Sequence, residues 1–374
     1  MHAVEGAPHC AQKVVRLSTG YGEYMKKLED ATAPAPARDG FFMPAEWEQH
    51  RRTWMCWPAR AECFGGSEGV LRAKQAYARV ARAISAFEPV TIAARPSESA
   101  EARFATCGKV DVVEMALDDS WARDFGPTFL KNRNGRLAGV QWVFNAWGEK
   151  YRPYGNDASF ARRVVEMAGV PFYRAPLVCE GGALHVDGQG TLLTTEQCLL
   201  NPNRNPGLTR EAAEDLLKLY LGVRTVIWLG SGFSDVETDG HVDNIACFAA
   251  PGRVIVGIPP HNHPDDEPVR EAIRRLHEAR DAQGRIFEIV ELPQPKKLRQ
   301  LWSGGLLQAS YVNFYLANGA VVMPAFGDPN DEKARTLLAA CFPGRDIMQI
   351  EATDIVEGGG GIHCITQQEP QVQS

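Results

Sequence analysis

The stretch Glu357–Pro370, EGGGGIHCITQQEP, places four glycines directly before an aliphatic residue, a histidine and a cysteine. Glycine loses more backbone freedom on folding than any other residue, so four in a row disfavour order unless the site needs them. The run therefore indicates that a substrate or another backbone packs closely against the main chain. The following residues, CITQQ, predict the start of a strand, which would hold the thiol of Cys364 rigidly.

A second stretch, Glu180–His185 (EGGALH), has the same layout of glutamate, glycines, aliphatic residue and histidine before a strand. Polar clusters between apolar runs recur roughly every 50 to 70 residues, which suggests an internal repeat. They centre on Asp124, Glu180, His241, Asn313 and Cys364. This spacing is the length of one small ββαβ unit, and five units in a ring would aim five loops at one site. The alternative is a chance spacing of loops in another α/β protein.

Helix-like and strand-like segments alternate along the chain, which indicates a mixed α/β class. Helices are predicted over 70–87, 157–167, 209–221, 264–282 and 330–341, with Asp157 and Thr209 as N-caps of the second and third. Before them, residues 1–40 predict a flexible N-terminal extension that ends in the Pro/Ala-rich linker ATAPAPARDG. We expect a single catalytic domain over 41–370 and a tail over 371–374.

Composition and charge exclude several classes of protein. The chain has 374 residues, 44% of them hydrophobic, and a net charge of -6. No run rich in lysine and arginine predicts a nucleic-acid surface, and no apolar run is long enough to predict a membrane span. Nine cysteines without a CxxC pair argue against a disulfide framework and a structural zinc site. We therefore expect a cytoplasmic protein that binds neither nucleic acid nor membrane.

Cys364 and His241 are candidates for a nucleophile and its proton-transfer partner. A thiol nucleophile needs a nearby base, and that base needs an orienting group, which Glu180 would provide. His241 lies in DVETDGHVDNIACF among several acidic residues. The alternatives are a buried structural cysteine, a histidine in an acidic surface loop, and a divalent ion bound by the HVD segment.

Asp124 lies between Trp121 and Phe125 in LDDSWARDFGPTF, which predicts a carboxylate at the floor of a pocket. A structural aspartate paired with Arg123 is the alternative. An acyl-transfer site needs an oxyanion hole rather than buried acids. Several acids around a thiol instead suit a guanidinium, which is planar, always charged and paired bidentately by carboxylates.

The sequence resembles the agmatine deiminase family of the guanidino-group-modifying (pentein) superfamily. The matching stretches run in order from about Met43 to Pro370 and include MPAEWEQHRRTWMCWP, DDSWARDFGPTF, FNAWG, EGGALHVDGQGTLLTTEQCLLNPNRNP, ETDGHVDN, SYVNFYLANG, FGDPND and GGGGIHCITQQEP. The resemblance implies a five-bladed pseudo-symmetric α/β propeller of ββαβ units (the pentein fold). It also implies hydrolysis of agmatine to N-carbamoylputrescine and ammonia, a step of polyamine biosynthesis.

The resemblance further implies a role for individual residues. The expected catalytic residues are the nucleophile Cys364, the acid and base His241, its orienting partner Glu180, and Asp124 and Asp243, which hold the guanidinium. Trp121 and Gly359 are expected to bind the rest of the substrate. Neither a metal ion nor an organic cofactor is expected, and a homodimer is allowed.

One segment departs from the family pattern, because Glu62-Cys63-Phe64 stands where the family usually has Asp-Asn-Trp near the pocket entrance. The tail of the substrate therefore stays open, and a deiminase or amidinotransferase acting on another guanidino compound is the main alternative. A metal-dependent amidohydrolase and a binding protein without turnover are two further classes.

Overall fold

The computed structural model describes residues 34–297, 307 and 309–372. The strands in this part of the chain are β1 (Phe41–Phe42), β2 (His50–Cys56), β3 (Val90–Ala94), β4 (Asp111–Glu114), β5 (Thr128–Asn132), β6 (Leu137–Val143), β7 (Phe172–Val178), β8 (His185–Val186), β9 (Thr191–Thr194), β10 (Thr225–Trp228), β11 (Ala246–Ala250), β12 (Arg253–Ile258), β13 (Glu288–Pro293), β14 (Tyr315–Ala317), β15 (Ala320–Ala325), β16 (Asp346–Glu351) and β17 (Thr366–Pro370).

The helices in the same residues are α1 (Ser67–Ile84), α2 (Ser99–Ala105), α3 (Ala122–Phe125), α4 (Ala146–Glu149), α5 (Phe160–Ala168), α6 (Glu196–Leu199), α7 (Arg210–Leu221), α8 (Val242–Ile245), α9 (Asp266–Glu278), α10 (Asp331–Cys341) and α11 (Thr353–Val356). Short 3₁₀ turns cover Ala61–Phe64, Asp157–Ser159 and Gly181–Ala183. The predicted mixed α/β class is confirmed. None of these helices is long and apolar enough to cross a membrane.

The described strands form five sheets, in the orders β1-β5-β6-β7, β10-β9-β8, β11-β12-β13, β14-β15-β16 and β17-β2-β3-β4. Each sheet contains an antiparallel pair whose second strand continues through a helix into a parallel neighbour, as β11, β12, α9 and β13 do. In the last sheet β17 pairs with β2, and β2 continues through α1 into β3.

The polar clusters found in the sequence occupy equivalent places in these sheets. Each lies just before the first strand of an antiparallel pair, and the residues are Asp124 before β5, Glu180 before β8, His241 before β11, Asn313 before β14 and Cys364 before β17. The same strand order, preceded by one polar cluster, therefore recurs in all five sheets at the spacing seen in the sequence.

Helix α1 shows how the core supports this arrangement. Tyr77 and Ile84 are buried on its inner face, each a burial that stabilises the fold by about 1.5–3 kcal/mol. The hydroxyl of Tyr77 lies 3.1 Å from that of Ser120, and its ring contacts Trp121 edge to face. The helix thus anchors the segment that leads into Asp124.

Of the two predicted N-caps, one is confirmed and the other is wrong. Thr209 is the N-cap of α7 as predicted, because its hydroxyl accepts a hydrogen bond from the backbone N–H of Ala212 at 3.2 Å. The prediction for Asp157 was wrong: it lies in a 3₁₀ turn and accepts a hydrogen bond from the N–H of Asp118 at 2.9 Å instead. A buried backbone donor from a neighbouring loop competes for its carboxylate.

Residues 1–33 of the predicted extension lie outside the described part of the chain. The last seven residues of the extension are ordered: Ala35 is buried, and the N–H of Ala37 donates to the carbonyl of Leu219 at 3.1 Å. The linker prediction for residues 34–40 therefore has to be corrected, because backbone hydrogen bonds hold this part of the segment. The outer domain boundaries stay a prediction.

Candidate active site

Cys364 lies two residues before β17, and the carbonyl of Cys364 accepts a hydrogen bond from the N–H of Arg123 at 3.1 Å. Its Sγ is buried 3.2 Å from the Nδ2 of Asn313 and 3.5 Å from the Oδ2 of Asp243. Burial, and then the charges of Asp243 and Asp124, raise the pKa of this thiol well above its ordinary value. The unliganded site therefore keeps Cys364 protonated, and a cation beside it would favour the thiolate.

The glycines before Cys364 leave space that side chains of the site occupy. A Cβ on Gly360 would lie 2.6 Å from the ring of Trp121 and 3.0 Å from the Cβ of Cys364. A Cβ on Gly361 would overlap Asn313, and Gly359 has a φ of +100°, which disfavours any other residue. The run is thus explained by packing against the site as well as by access to the pocket.

His241 lies directly before α8 and is fully buried. Its Nε2 is 3.5 Å from the Oε2 of Glu180, and its Nδ1 is 3.7 Å from the Oδ1 of Asp124. Burial lowers the pKa of His241, but Asp124 and other anionic neighbours raise it well above its ordinary value. The imidazole is therefore positively charged near neutral pH and holds a proton that it can donate.

Glu180 is fixed by an arginine that the sequence analysis did not assign. The Nε of Arg204 donates to its Oε1 at 2.8 Å, and the Nη2 of Arg204 donates to the carbonyl of Thr238 at 3.0 Å. Burial raises the pKa of Glu180, yet Arg204 and His241 bring it down to about 2. Arg204 stands in the quoted segment NPNRNP and is buried, which its local sequence does not indicate.

Asp124 accepts hydrogen bonds from the indole of Trp147 at 2.9 Å and from the N–H of Gly182 at 3.0 Å. Burial raises its pKa to about 6, although His241 opposes the shift. The alternative pairing with Arg123 is wrong, because Arg123 forms its ion pair with Glu46 at 3.2 Å. Trp147 belongs to the FNAWG motif, but its role as a donor was missed.

Asp243 is held from behind by a buried chain of charged groups. Its Oδ2 lies 2.9 Å from the Nδ1 of His363, and the Nε2 of His363 lies 2.9 Å from the Oε1 of Glu46. Burial raises the pKa of Asp243, whereas His363 and His241 lower it below its ordinary value. Glu46 and His363 stand in the motifs MPAEWEQH and IHC, and the sequence analysis assigned a role to neither.

Gly182 is the point where the imidazole and two carboxylates converge. A Cβ at this position would lie 2.5 Å from the Nδ1 of His241, 2.8 Å from the Oδ1 of Asp124 and 3.0 Å from the Oδ2 of Asp243. This crowding is a physical reason for the second glycine of EGGALH.

A narrow pocket borders the thiol of Cys364. Its lining consists of Trp121, Asp124, Trp147, Tyr151, Glu237, Thr238, Gly358, Gly359, Gly360 and Cys364. Four of the predicted site residues are thus at the pocket wall, while His241, Glu180 and Asp243 lie directly behind it. Glu237, one of the acidic residues in the segment around His241, had no predicted role; it accepts a hydrogen bond from the hydroxyl of Tyr151 at 2.5 Å.

The Glu62-Cys63-Phe64 segment contributes to the pocket from behind. The ring of Phe64 stacks on that of Trp121 with centroids 6.0 Å apart, and its side chain is buried. The thiol of Cys63 donates to the Oδ2 of Asp119 at 3.3 Å. The segment that departs from the family pattern therefore packs behind Trp121, and none of its three residues lines the pocket.

A model of the Porphyromonas-type peptidyl-arginine deiminase family matches residues 42–370. The chain belongs to this family. Its curated relatives include agmatine deiminases of Stutzerimonas stutzeri, 44% identical over 90% of this chain and 97% of the relative, and of Ectopseudomonas mendocina, 42% identical over 90% and 98%.

Solved structures of deiminases agree with this membership of the Porphyromonas-type peptidyl-arginine deiminase family. The agmatine deiminase of Enterococcus faecalis has a TM-score of 0.87 and 39% identity, covering 91% of this chain and 98% of its own. A Cys-to-Ser variant of the C. jejuni agmatine deiminase with substrate bound has a TM-score of 0.80 and 26% identity, covering 89% and 97%.

Proposed function

We propose that this protein is an agmatine deiminase that hydrolyses agmatine to N-carbamoylputrescine and ammonia through a covalent amidino-cysteine intermediate. The observation that carries the proposal is the convergence of a thiol, an imidazole and three carboxylates at the inner end of one pocket. The agmatine deiminases among the relatives, matched over nearly their whole length, support the same reaction.

Binding begins with charge. Asp124 and Asp243 flank the thiol and accept hydrogen bonds from the guanidinium nitrogens, which places the guanidinium carbon next to Cys364. Burial and the charges of the two carboxylates keep the thiol of Cys364 protonated in the free site. The substrate cation offsets those charges, so the pKa of Cys364 falls on binding and the thiol proton leaves to solvent. Trp121 and Trp147 enclose the aliphatic chain in the pocket.

The chemistry follows in two halves. The sulfur of Cys364 adds to the guanidinium carbon, and the imidazolium of His241 gives its proton to the departing nitrogen, which leaves as ammonia. An amidino-thioether remains on Cys364. Neutral His241 then takes one proton from a water that adds to the same carbon. The carbon–sulfur bond breaks as the carbonyl forms, and the remaining hydroxyl proton leaves to solvent, which gives the ureido product and the thiolate. Glu180 orients His241 and stabilises its charged form throughout.

Glu237 distinguishes agmatine from other guanidino compounds. Its carboxylate lies at the pocket wall, and burial raises its pKa above the ordinary value, which a nearby ammonium would reverse. We therefore assign the far end of the pocket to the primary ammonium of agmatine. A guanidino acid would place a carboxylate against Glu237 and is disfavoured by like-charge repulsion.

The remaining elements of the proposal concern the whole chain. We infer that the five sheets form the five blades of one catalytic α/β propeller that extends over residues 41–370. The recurring strand order and the position of one polar cluster before each antiparallel pair support this arrangement. A cytoplasmic location and a homodimer are expectations from the sequence and its resemblance.

The test is ammonia release and product analysis with agmatine, arginine and 4-guanidinobutyrate as substrates. The purified chain is expected to act on agmatine and to form N-carbamoylputrescine with or without an added amine. Glu237→Gln should raise KM for agmatine and reduce the ratio of kcat/KM for agmatine to that for 4-guanidinobutyrate. An exposed control, Glu332→Gln, should leave both unchanged. An amidino group transferred to the added amine would instead identify an amidinotransferase.

A further inference from the structure

Cys198 lies beside the proposed base but has no part in the proposed reaction. It is in α6 and fully buried, with its Sγ 3.8 Å from the Oε2 of Glu180. One donor atom each from Glu180, Cys198 and His241 lies within 4.8 Å of the other two. A carboxylate oxygen, a sulfur and an imidazole nitrogen thus surround one point.

The histidine of this cluster has carboxylate neighbours but makes no hydrogen bond of ordinary geometry among the described residues. His241 is fully buried, and neither of its ring nitrogens makes a hydrogen bond to any residue that the structure describes. Buried polar atoms are nearly always hydrogen-bonded, so a buried imidazole without such a bond indicates a site that takes a ligand. The Nε2 of His241 faces the Oε2 of Glu180 at 3.5 Å, on the side where Cys198 lies.

Two of the three distances between the donors match those around a tetrahedral zinc ion, and the third is within 4.8 Å. With the usual zinc–ligand lengths, nitrogen and oxygen ligands stand about 3.4 Å apart, and sulfur and oxygen ligands about 3.6 Å apart. The corresponding separations here are 3.5 Å and 3.8 Å. The combination of thiolate, imidazole and carboxylate also suits zinc, which accepts all three.

We propose that Glu180, Cys198 and His241 form an inhibitory zinc site. The inhibition rests on the proposed function, whereas the binding of zinc does not. Zinc bonds to the sulfur of Cys198, the Oε2 of Glu180 and one ring nitrogen of His241, and water fills the fourth position. The thiol proton of Cys198 and any proton on the ligating nitrogen leave to solvent.

The charges at the buried site balance in both states. Without metal, anionic Glu180 faces cationic His241, and Cys198 is neutral. With zinc, two anionic ligands and a neutral imidazole balance the two positive charges of the ion. Arg204 keeps its hydrogen bond to the other oxygen of Glu180. With zinc on one ring nitrogen, His241 can no longer alternate between imidazolium and neutral imidazole, so the enzyme loses its acid and base.

The binding test uses the full chain after treatment with a chelator, titrated with Zn²⁺ by calorimetry and with Co²⁺ for the absorption of a sulfur–metal bond. Cys198→Ser keeps a polar side chain beside Glu180, and Cys364→Ser removes the other nearby thiol. Wild type and Cys364→Ser are expected to bind one ion with sulfur ligation. Cys198→Ser should bind at least tenfold more weakly and lose the sulfur–cobalt absorption.

The activity test compares ammonia release from agmatine with and without Zn²⁺, each variant being referred to its own metal-free rate. Zinc should inhibit the wild type reversibly, with recovery on adding a chelator, and Cys198→Ser should resist it. Equal zinc affinity in Cys198→Ser and wild type, or sulfur ligation lost in Cys364→Ser instead, would overturn the proposal. Melting temperatures of the variants separate a lost ligand from a lost fold. Metal-free wild type without activity would refute the proposed function, while the binding test would still decide the site.

Discussion

The imidazole of His363 links two carboxylates that the sequence places far apart, lying 2.9 Å from Asp243 on one side and 2.9 Å from Glu46 on the other. All three groups are buried. Asp243 thereby gains a partner that lowers its pKa, and the same Oδ2 atom lies 3.5 Å from the sulfur of Cys364. The charge that receives the guanidinium is held in place from behind.

Replacing His363 by Asn should lower kcat/KM for agmatine by about ten- to hundredfold, because a hydrogen bond to a charged group contributes about 1.5–3 kcal/mol. We expect the loss mainly in KM, since Asp243 would be less strongly held as an anion. The exposed His261→Asn serves as control. An unchanged KM in His363→Asn would show that Asp243 does not need this partner.

Asp124→Asn and Asp243→Asn should each weaken agmatine binding by about 2–5 kcal/mol, the usual cost of removing one partner of a buried charge pair. The measurement is calorimetry in a Cys364→Ser background, where turnover does not consume the ligand. Asp215→Asn, at an exposed position of α7, provides the matched control. Affinity equal to that of the parent in either site variant would refute the pairing.

Cys364→Ser should abolish turnover while leaving the fold intact, because a hydroxyl of similar size is a far weaker nucleophile than a thiolate. Trapping of the amidino-thioether by acid quench and mass spectrometry should succeed only with the thiol present. The exposed Cys107→Ser should behave as wild type. An adduct found on a cysteine other than Cys364 would assign the nucleophile elsewhere.

Gly182→Ala should reduce activity strongly, because the added methyl group would press on His241 at 2.5 Å and on Asp124 at 2.8 Å. The same change at Gly155, where a Cβ meets nothing within 4 Å, should have little effect. Steady-state kinetics and melting temperatures of both variants are the measurements. If the two glycines tolerate alanine equally, the crowding around Gly182 does not constrain the site.

Asp157 should make the protein less stable as the pH rises. Burial, followed by the charge of Asp119, raises its pKa from 3.8 to about 7, and its Oδ2 is buried without a hydrogen bond among the described residues. The folded state therefore binds this proton more tightly than the unfolded state, so the free energy of unfolding falls between about pH 4 and pH 7.

Asp157→Asn should remove this decline. Its free energy of unfolding should rise relative to that of wild type by about 2–4 kcal/mol between pH 4 and pH 7, at 1.36 kcal/mol per pKa unit. Urea unfolding at several pH values is the measurement, with the exposed Asp111→Asn as control. A stability difference between Asp157→Asn and wild type that stays constant with pH would contradict the assignment.

The local elements could be predicted from the sequence wherever one physical signal dominated. The helices predicted over 70–87 and 209–221, the second with its cap at Thr209, lie within a few residues of the observed bounds of α1 and α7. The cap at Asp157 failed because the competing donor, the N–H of Asp118, comes from a loop distant in sequence. Single-sequence patterns carry no information about such a partner.

The site divides in the same way. The groups proposed to meet the substrate stand in motifs with unusual local composition, such as the glycines before Cys364 and the acids around His241. The residues that hold those groups carry no such signal, although His363 directly precedes Cys364. Arg204, Glu46 and His363 act through ion pairs with residues at least 24 positions away in sequence, and local composition does not identify such a partner.

The pairing of β17 with β2 has a consequence during protein synthesis. The indole of Trp54 on β2 donates a hydrogen bond to the carboxylate of Glu369 on β17, although 315 residues separate them. A ribosome adds about 5–20 residues per second, so the partner edge of β2 waits roughly 15 to 60 seconds for its neighbour. An unpaired, largely buried strand edge invites aggregation. Cys364 lies two residues before β17. The nascent chain therefore lacks its proposed nucleophile over the same interval in which the edge of β2 is unpaired.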